Sequence, residues 1–563
     1  MLSSMSSALK LGTSALSKLK SNDPEETDFG SQRLADAVRD KSKQLKPQSG
    51  SLPVYKILLK EEDITVNGCK RFRFGKESFD RNRTIMVLGA TGAGKSTIIN
   101  GMINYVLGVE WKDPYRFKLV DEDQSISQAH SQTTEVTVYK LNHRAGFNIQ
   151  NSLTIVDTPG FGDTRGIEKD KLIVEQLRDL FSAKDGVSEI DAVCIVAQAS
   201  LARLTSTQKY VFDSVLSIFG KDVAENIQIL VTFVDGKHLS VLEAINAADV
   251  PCPKTKEGLP VHFKFNNSAL FDKSCAAESA SEEDDEVDFS EMFWKMGIKS
   301  MRTFFTALNV MTTKSLFMTK EVLREREQLE ISVQSLKKQV RIGLDKQEEI
   351  KETKSQLKDH EAEISSNKDF VIECKVMKAY QQEYSSNLTS CTNCPQCRFT
   401  CHDGCVYTFG MFDRLCSAMG SDGFCKMCPG KCHWKKHDYN QMYRWEYKEV
   451  TERTTLEKLK AKYQIASEAA MPVKALIDKL KSEYDLVQAD VMKVMRDSAK
   501  CLNRLKEIAL RPNPLSTAEY IDMLIAGEKA EAKSGWTKRV QCLMDMREQA
   551  EVMAQVDRGD RFL

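Results

Sequence analysis

The chain has 563 residues, which is more than one hydrophobic core normally holds, so two to four domains are expected. Its 80 basic and 80 acidic residues cancel, and this balance argues against a general electrostatic attraction to nucleic acid or to anionic membranes. No apolar run reaches the ~18 residues that a transmembrane helix requires.

Residues 1–50 are predicted to form a flexible tail. The first 22 residues lack the continuous apolar segment of a secretory signal, although leucines recur there at helical spacing between lysines. We prefer to interpret this stretch as a Ser-rich flexible tail. The alternative is an amphipathic segment that lies on a membrane surface or acts as an organelle address, so peripheral membrane contact stays open.

Residues 51–310 alternate short apolar runs with helical segments. The runs predicted to be strands are Ile85–Leu88, Glu135–Leu141, Leu153–Val156, Ala192–Val196, Ile227–Phe233 and Val261–Phe265. Helices are predicted after Lys95, around residues 169–181, and from Thr205 to Phe219. Alternation of this kind predicts an α/β domain with a mostly parallel sheet and helices on both faces.

A glycine-rich loop, GATGAGKS, directly follows the first of these strands. Backbone N–H groups in such a loop can face phosphates, Lys95 can neutralise the β and γ oxygens, and Ser96 can ligate Mg²⁺. The helix expected to begin here favours anions at its N-terminus. The sequence therefore predicts that a polyphosphate binds to Gly89, Ala90, Thr91, Gly92, Ala93, Gly94, Lys95, Ser96 and Thr97.

A second motif, LTIVDTPG, lies some sixty residues further on and ends at Gly160. It is a buried strand that ends in an acid and a tight turn. Asp157 can hold Mg²⁺ through water, and the Gly160 amide can sense a γ-phosphate. Between the two motifs, Thr133 or Thr134 could close on Mg²⁺ in the triphosphate state, or both could be ordinary strand residues.

The segments GATGAGKSTIIN, the TT pair before a strand and DTPGFGDTRG together resemble the septin and immune-associated (avirulence-induced-gene type) branch of the P-loop GTPases. The resemblance covers roughly residues 80–275. It implies a Ras-like α/β G domain, the ligands GTP and Mg²⁺, and dimerisation of G domains that stimulates GTP hydrolysis.

The base-reading motif departs from this family pattern. The family usually has [NT]KxD, in which the aspartate pairs with the guanine N1–H and exocyclic amine. Here Thr232 and Asp235 keep their places, but Phe233 replaces the lysine that packs on the base, so the choice between GTP and ATP stays open. The segment Asn266–Ala269 is either the last base-contacting loop or a polar turn.

The residue that follows DTPG also differs from the pattern of Ras-like GTPases. Phe161 follows DTPG at the place where Ras has the glutamine that orients the attacking water. Hydrolysis is therefore expected to be slow unless a partner or another residue contributes. His130 and Arg165 lie near the switch segments and could contribute, or they could be plain surface residues.

Two helical stretches with heptad periodicity flank a cysteine-rich segment. Apolar residues recur every seven positions from Val322 to Val371 and again from Leu459 to Ile508. We expect helices at 311–375 and 448–511, joined by a cysteine-rich tip at 376–447, with further helices at 512–563. We prefer a long antiparallel arm with the tip at its end. The alternative is a compact bundle folded back on the G domain.

Nine of the sixteen cysteines fall in this tip, in paired C-x2-C spacings that suit tetrahedral zinc. No catalytic zinc signature is present, so a structural role in a reducing, cytoplasmic compartment is expected. The twelve possible ligands allow two or three sites, and their pairing is open; they are Cys391, Cys394, Cys397, Cys401, His402, Cys405, Cys416, Cys425, Cys428, Cys432, His433 and His437.

The sequence as a whole favours a GTP- and Mg²⁺-dependent switch that signals through a zinc-tipped helical arm. Homodimers or larger oligomers would form through the G domain and the coiled coil, and no nucleic-acid partner is expected. A scaffold that binds nucleotide without hydrolysing it is the main alternative. An ATP-driven DNA-tethering machine is disfavoured because the chain lacks an LSGGQ-like signature and a basic charge balance.

Overall fold

A computed structural model describes most of the chain between residues 32 and 512. The described ranges are 32–46, 52–78, 80–120, 135–162, 167–201, 204–236, 239–271, 289–335 without 334, 371–384, 390–405, 416–455 without 417, 421 and 429, and 473–512, with residues 355 and 359 and scattered positions from 518 to 555.

Strands and helices alternate through the first 310 residues, and strands then dominate the cysteine-rich region. The strands are β1 (Lys43–Gln44), β2 (Val54–Lys56), β3 (Lys60–Glu62), β4 (Cys69–Phe74), β5 (Asn82–Gly89), β6 (Arg116–Lys118), β7 (Val136–Leu141), β8 (Ser152–Asp157), β9 (Glu189–Ile190), β10 (Ala192–Gln198), β11 (Ile227–Thr232), β12 (His262–Lys264), β13 (Lys314–Ser315), β14 (Val371–Glu383), β15 (Ser390–Cys394), β16 (Phe399–Cys405), β17 (Asp438–Gln441) and β18 (Tyr443–Thr455). The helices are α1 (Leu34–Lys41), α2 (Lys95–Val106), α3 (Ile167–Ser182), α4 (Ser206–Ser217), α5 (Val241–Ala247), α6 (Phe289–Val310), α7 (residues 317–333) and α8 (Val473–Ile508).

The centre of the first domain is an eight-stranded sheet in the order β12-β11-β10-β5-β8-β7-β4-β3. The neighbouring strands from β12 to β8 are all parallel, whereas β7 runs antiparallel to β8. This sheet confirms the predicted α/β domain with a mostly parallel sheet. The carboxyl ends of β5, β10, β11 and β12 share one edge, where α/β proteins bind ligands.

Helices cover both faces of the sheet, and the central strand β5 shows why. Ile85 and Val87 point into a core shared with α2 and α6, whereas Met86 and Leu88 point into a core shared with α3 and α4. All four side chains are fully buried. A strand covered on both faces reads as a continuous apolar run, which is how IMVL appears in the sequence.

Helices α7 and α8 pack together and are anchored to the α/β domain. Most residues of their contact belong to the apolar positions that recur every seven residues in the sequence. The contact is an apolar cluster of Val322, Leu329, Val333, Val494, Cys501, Leu502, Leu505, Ile508 and Ala509. The partly buried Arg326 of α7 donates to the carbonyl oxygen of Ser217 at the end of α4 (2.8 Å). After α8, the Leu510 amide donates to the carbonyl oxygen of Phe219 (3.0 Å).

A two-stranded antiparallel ribbon replaces parts of both predicted arm helices. β14 pairs with β18 along thirteen residues each, from Val371 opposite Thr455 to Glu383 opposite Tyr443. The prediction of helix at 371–375 and 448–455 is therefore wrong. The segment YRWEYKEVTERTT alternates aromatic with charged residues and is rich in threonine, and both features favour strand over helix.

The ribbon leads into a small cysteine lobe, which we define as residues 390–442. Its three-stranded sheet has the order β16-β15-β17, and its core is formed mainly by cysteines together with Phe399, Ala418, Met419 and Met427. Ile331 of α7 belongs to the same core. The lobe therefore lies against α7, close to where that helix meets the α/β domain. This contact agrees with the folded-back alternative and differs from the preferred long arm with a distal tip.

Among the described helices, none is long and apolar enough to cross a membrane.

Candidate functional site

The predicted phosphate loop joins the end of β5 to the start of α2. Gly94 caps α2 with a φ of 88°, a left-handed conformation that a side chain would strain. The Lys95 side chain is buried, and its Nζ donates to the carbonyl oxygens of Gly89 (3.2 Å) and Ala90 (2.9 Å). The loop thus holds its amine against its own backbone at a helix N-terminus, which is a natural place for an anion. The other predicted loop residues, Thr91, Gly92, Ala93, Ser96 and Thr97, lie in the loop or the first turn of α2.

The DTPG turn lies directly against this loop. The Thr91 amide donates to the carbonyl oxygen of Phe161 (3.0 Å), and the Phe161 amide donates to the carbonyl oxygen of Gly89 (3.1 Å). A Cβ atom on Gly160 would lie 2.5 Å from Cα of Thr91, so only glycine permits this approach. The structure therefore brings together the two segments that the sequence predicts to share a phosphate.

Asp157 ends β8 at the same edge and is fully buried. Burial, together with the negative charge of Asp157, raises the pKa of Tyr139 on the neighbouring strand β7. The next residue, Thr158, donates from Oγ1 to the carbonyl oxygen of Val87 (2.9 Å), which ties the turn to β5. A buried carboxylate beside a phosphate loop is chemically suited to hold a cation such as Mg²⁺, directly or through water.

The predicted base-reading loop also reaches the phosphate loop. Thr232 ends β11 and donates from Oγ1 to the carbonyl oxygen of Ala93 (2.8 Å). Phe233 adopts a φ of 55°, which is unusual for a bulky residue, and its ring remains 53% exposed. Its Cε2 atom lies 3.6 Å from the position of a Cβ on Gly94. An exposed aromatic ring held in a strained conformation beside the loop can cover a flat ligand such as a purine.

Asp235 and the second candidate base loop lie next to Phe233. Asp235 is exposed, and the preceding Val234 amide donates to the carbonyl oxygen of Phe265 (3.0 Å). In return, Nδ2 of Asn266 donates to the carbonyl oxygen of Val234 (3.1 Å). The Thr232–Asp235 loop and the Asn266 loop are thus tied together at one edge of the sheet.

Comparison with known proteins agrees with this geometry. Residues 80–183 match the family model described as Septin, and this range contains the phosphate loop and the DTPG turn. The P-loop domain is septin-like. No curated protein sequence matches the chain.

Structures of Toc33 from Arabidopsis thaliana are similar to part of this chain. The complex with Mg²⁺ and GMPPNP is 16% identical, covering 42% of this chain and 88% of that chain, with a TM-score of 0.26. The complex with GDP and Mg²⁺ is 17% identical, covering 41% of this chain and 87% of that chain, with the same score. The structure described as "Dimerization is important for the GTPase activity of chloroplast translocon components atToc33 and psToc159" is 17% identical, covering 40% of this chain and 84% of that chain, at 0.27.

Several candidate residues of the septin-like domain fall outside the described part of the chain. These are Thr133 and Thr134, as well as His130 and Arg165. Phe161 is described and fully buried, and it belongs to the core under α3 and α4. The position after DTPG therefore carries an apolar side chain that is turned inward.

Two polar residues that contact the site were not predicted from the sequence. Gln198 ends β10, and its Nε2 donates to the carbonyl oxygen of Gly92 (2.8 Å). Its place at the carboxyl end of a predicted parallel strand is a signal that could identify it. The buried Asp170 of α3 accepts hydrogen bonds from the Gly162 amide (3.1 Å) and from the Tyr210 hydroxyl of α4 (2.8 Å). In the sequence, Asp170 looks like any acid on a helix.

The cysteine lobe brings ten of the twelve predicted metal ligands into three groups, and within each group the ligand atoms lie within 4.8 Å of one another. The groups are Cys394, Cys397, Cys428 and Cys432; Cys401, Cys425, Cys428 and His437; and His402, Cys405 and Cys416. Cys391 and His433 belong to none of them. The Cys391 thiol lies 3.7 Å from Asp403 Oδ1, and His433 Nδ1 accepts a hydrogen bond from the Lys435 amide.

Hydrogen bonds within the lobe converge on sulfur. The amides of Met427 and Cys428 donate to Sγ of Cys425 (3.3 and 3.4 Å), and the Cys432 amide donates to Sγ of Cys428 (3.3 Å). Side-chain hydrogen bonds from the Cys401 and Cys428 thiols lower the pKa of Cys425 to about 3. Sulfur atoms that accept several N–H groups favour the thiolate form, which is the form that binds metals.

Proposed function

We propose that the chain is a GTP-binding and GTP-hydrolysing switch that depends on Mg²⁺. The observation that carries this proposal is the direct backbone contact between the phosphate loop and the DTPG turn, through Thr91, Phe161 and Gly89. This contact gives one segment that can hold phosphates and a second that can respond to the terminal phosphate. The septin match over residues 80–183 supports the same function.

Different residues of the chain would bind the phosphates, the Mg²⁺ ion and the base. Loop amides and Lys95 would bind the phosphates, and Ser96 and Asp157 would hold Mg²⁺, which supplies positive charge opposite the phosphate oxygens. Thr133 or Thr134 would complete the closed state. Asp235 would accept hydrogen bonds from the guanine N1–H and amino groups, while Phe233 would cover the face of the base.

Hydrolysis by one chain alone should be slow, because the buried Phe161 offers no polar group to an attacking water. We therefore propose that a second G domain stimulates the reaction in a homodimer. The alternative is a scaffold that binds nucleotide without hydrolysing it, and the same buried phenylalanine favours it. The scaffold differs from the switch in that it releases no phosphate.

The signal would pass from the DTPG turn to the cysteine lobe through two helices. α3 begins at Ile167, shortly after the turn, and its Arg178 and Lys171 lie 2.8 Å and 3.6 Å from Glu327 and Glu330 of α7. Ile331, the residue after Glu330, packs into the lobe. A shift of α3 would therefore move the surface on which the lobe rests.

We propose that the lobe binds zinc in a structural role. The three groups consist of thiols and imidazoles, the ligands that zinc prefers, and a lobe of this size has little apolar core of its own. We further propose that the chain self-assembles through α7 and α8. We also propose that the N-terminal tail contacts a membrane surface and that the protein is cytoplasmic, and cell fractionation tests both.

Phosphate release, measured over a wide range of protein concentration, tests the switch. We expect a rate per chain that rises with concentration, and Lys95→Ala should abolish both nucleotide binding and release. Lys60→Ala, at an exposed position on β3, is the matched control. Tight binding without release at every concentration would favour the scaffold. Tight binding by Lys95→Ala would reject the phosphate site itself.

A further inference from the structure

Two of the three ligand groups in the cysteine lobe have one residue in common. Cys428 Sγ lies within 4.8 Å of the sulfurs of Cys394, Cys397 and Cys432, and also within 4.8 Å of the ligand atoms of Cys401, Cys425 and His437. Two separate tetrahedral sites would require eight ligands, whereas these two groups together contain seven. If Cys428 served one group only, the other ion would have three protein ligands.

We propose that Cys428 bridges two zinc ions in a single binuclear centre, an inference that rests on the proposed zinc binding by the lobe. One ion would be held by Cys394, Cys397, Cys432 and the shared sulfur. The second ion would be held by Cys401, Cys425, His437 and the same sulfur. Two ions and six thiolates leave a net charge of −2, one negative charge fewer than two unshared sites with seven thiolates would carry.

The first group is already close to the size of a zinc site. Sγ of Cys397 lies 3.6 Å from Sγ of Cys432, and a tetrahedral ion with Zn–S bonds of ~2.3 Å places its sulfurs about 3.8 Å apart. A Cβ atom on Gly430 would lie only 3.0 Å and 3.2 Å from these two sulfurs. Glycine at this position therefore leaves room for both ligands.

The second group contains a histidine that is oriented as metal ligands usually are. Nδ1 of the buried His437 donates to the carbonyl oxygen of His433 (3.2 Å), which fixes the ring. Its other nitrogen, Nε2, is buried, and the ring lies within hydrogen-bonding reach of the Cys428 thiol. Ligating histidines commonly bond a backbone carbonyl with one nitrogen and the metal with the other.

The grouping also argues against an iron–sulfur cluster. Cys391, Cys394, Cys397 and Cys401 have the C-x2-C-x2-C-x3-C spacing that supplies [4Fe–4S] clusters in some ferredoxins. The structure divides this run: Cys394 and Cys397 belong to the first group, Cys401 belongs to the second, and Cys391 belongs to neither. Segments distant in sequence complete each group, as suits two zinc coordination spheres that share one sulfur atom.

Elemental analysis of the purified full chain and its variants tests the bridge. Relative to the unsubstituted chain, Cys428→Ser should lose two zinc ions, Cys397→Ser should lose one, and His433→Ala should lose none. The ion of the His402 group should remain in all three. Equal losses of one ion in Cys428→Ser and Cys397→Ser would overturn the bridge and leave zinc binding intact.

Cobalt substitution of the unsubstituted chain gives a second measurement that does not depend on a variant folding. A thiolate bridge couples two Co²⁺ ions antiferromagnetically, so the paramagnetic resonance signal per cobalt should fall as the second ion enters the pair. A signal per cobalt that stays constant through the titration would overturn the bridge. A chain that retains neither zinc nor cobalt would overturn zinc binding by the lobe as well.

Discussion

Arg178 Nη1 lies 2.8 Å from Oε1 of Glu327, and this ion pair joins α3 of the septin-like domain to α7. Both side chains are largely buried, with 20% and 31% of their surfaces exposed. The pair is placed between the segment that follows the DTPG turn and the helix that supports the cysteine lobe. It therefore provides a direct polar link between the proposed switch and α7.

Reversing the charge of Arg178 should loosen α7 from α3. For Arg178→Glu we expect faster amide hydrogen exchange in residues 320–333, because two carboxylates would then face each other. The double variant Arg178→Glu/Glu327→Arg should restore protection, with a coupling free energy of about 0.5–1 kcal/mol. Arg324→Glu is the control, because that arginine is exposed and pairs with its own neighbour Glu325. Equal exchange in the single and double variants would contradict the link.

Adding one methyl group at Gly160 should separate the two phosphate-facing segments. The new Cβ would lie 2.5 Å from Cα of Thr91, so the hydrogen bonds that join Phe161 to Thr91 and to Gly89 would have to lengthen. Overpacking of this kind costs roughly 1–3 kcal/mol, and we expect nucleotide affinity to fall about tenfold or more in Gly160→Ala, measured by fluorescence titration.

Gly236→Ala is the matched control for this substitution. A Cβ atom there would meet nothing within 4 Å, so nucleotide affinity should remain unchanged. If Gly160→Ala bound nucleotide as tightly as this control, the contact between the two segments would have no role in binding.

Substitutions at Asp235 and Phe233 should have different effects on purine choice. Asp235→Asn should weaken GTP binding by roughly 10–100-fold and leave ATP binding unchanged, because the carboxylate would accept hydrogen bonds only from guanine. Phe233→Ala should weaken both nucleotides about 3–10-fold, since an aromatic face does not distinguish purines. Competition titrations with GTP and ATP measure both effects.

Phe317→Ala provides the control for the aromatic substitution, because Phe317 is 74% exposed on α7. Its removal should leave both affinities unaltered. An Asp235→Asn variant that lost GTP and ATP equally would show that this aspartate supports the loop and does not select the base.

Glu175 on α3 should make the stability of the protein depend on pH. Burial, opposed by the nearby Arg178 and reinforced by Glu330, Asp179 and Glu327, raises its pKa from 4.5 to about 7. Since the unfolded chain releases this proton first, the free energy of unfolding should decrease as pH rises from about 4.5 to 7 and then level off.

Glu175→Gln should remove this pH dependence. The variant should be more stable than the unsubstituted chain at pH 8, by on the order of 2 kcal/mol, and the difference should shrink towards pH 5. Thermal melts at both pH values measure it, with Glu189→Gln at an exposed position of β9 as the control. A stability difference that is the same at pH 5 and pH 8 would contradict the raised pKa.

The nucleotide site was predictable because its chemistry is local in sequence. A phosphate loop requires closely spaced glycines after a strand, and DTPG requires an acid and a turn after another strand; parallel pairing of β5 with β8 then brings them together. The support from Gln198 and Asp170 was not predictable in the same way. Their roles depend on which backbone groups they meet, and single polar residues on a strand end or a helix give no pattern.

The ribbon and the lobe show where heptad counting fails. The row from Val322 to Leu329 does pack against α8, but the same seven-residue count runs on to Val371, which begins a strand. A period-seven register can continue by chance through a strand, whereas the alternation in β18 is the stronger local signal. Likewise, C-x2-C spacing predicts which cysteines lie close together, but the membership of Cys428 in two groups depends on the three-dimensional approach of distant segments.

The pairing of Val371 with Thr455 has a consequence for the ancestry of the chain. Because these two residues lie side by side, the segment between them enters and leaves the rest of the chain at one point. Its removal would therefore leave two adjacent chain ends. The cysteine-rich region thus has the form of an insertion between α7 and α8. Relatives that carry a different insertion, or none, could keep the same nucleotide domain and its supporting helices.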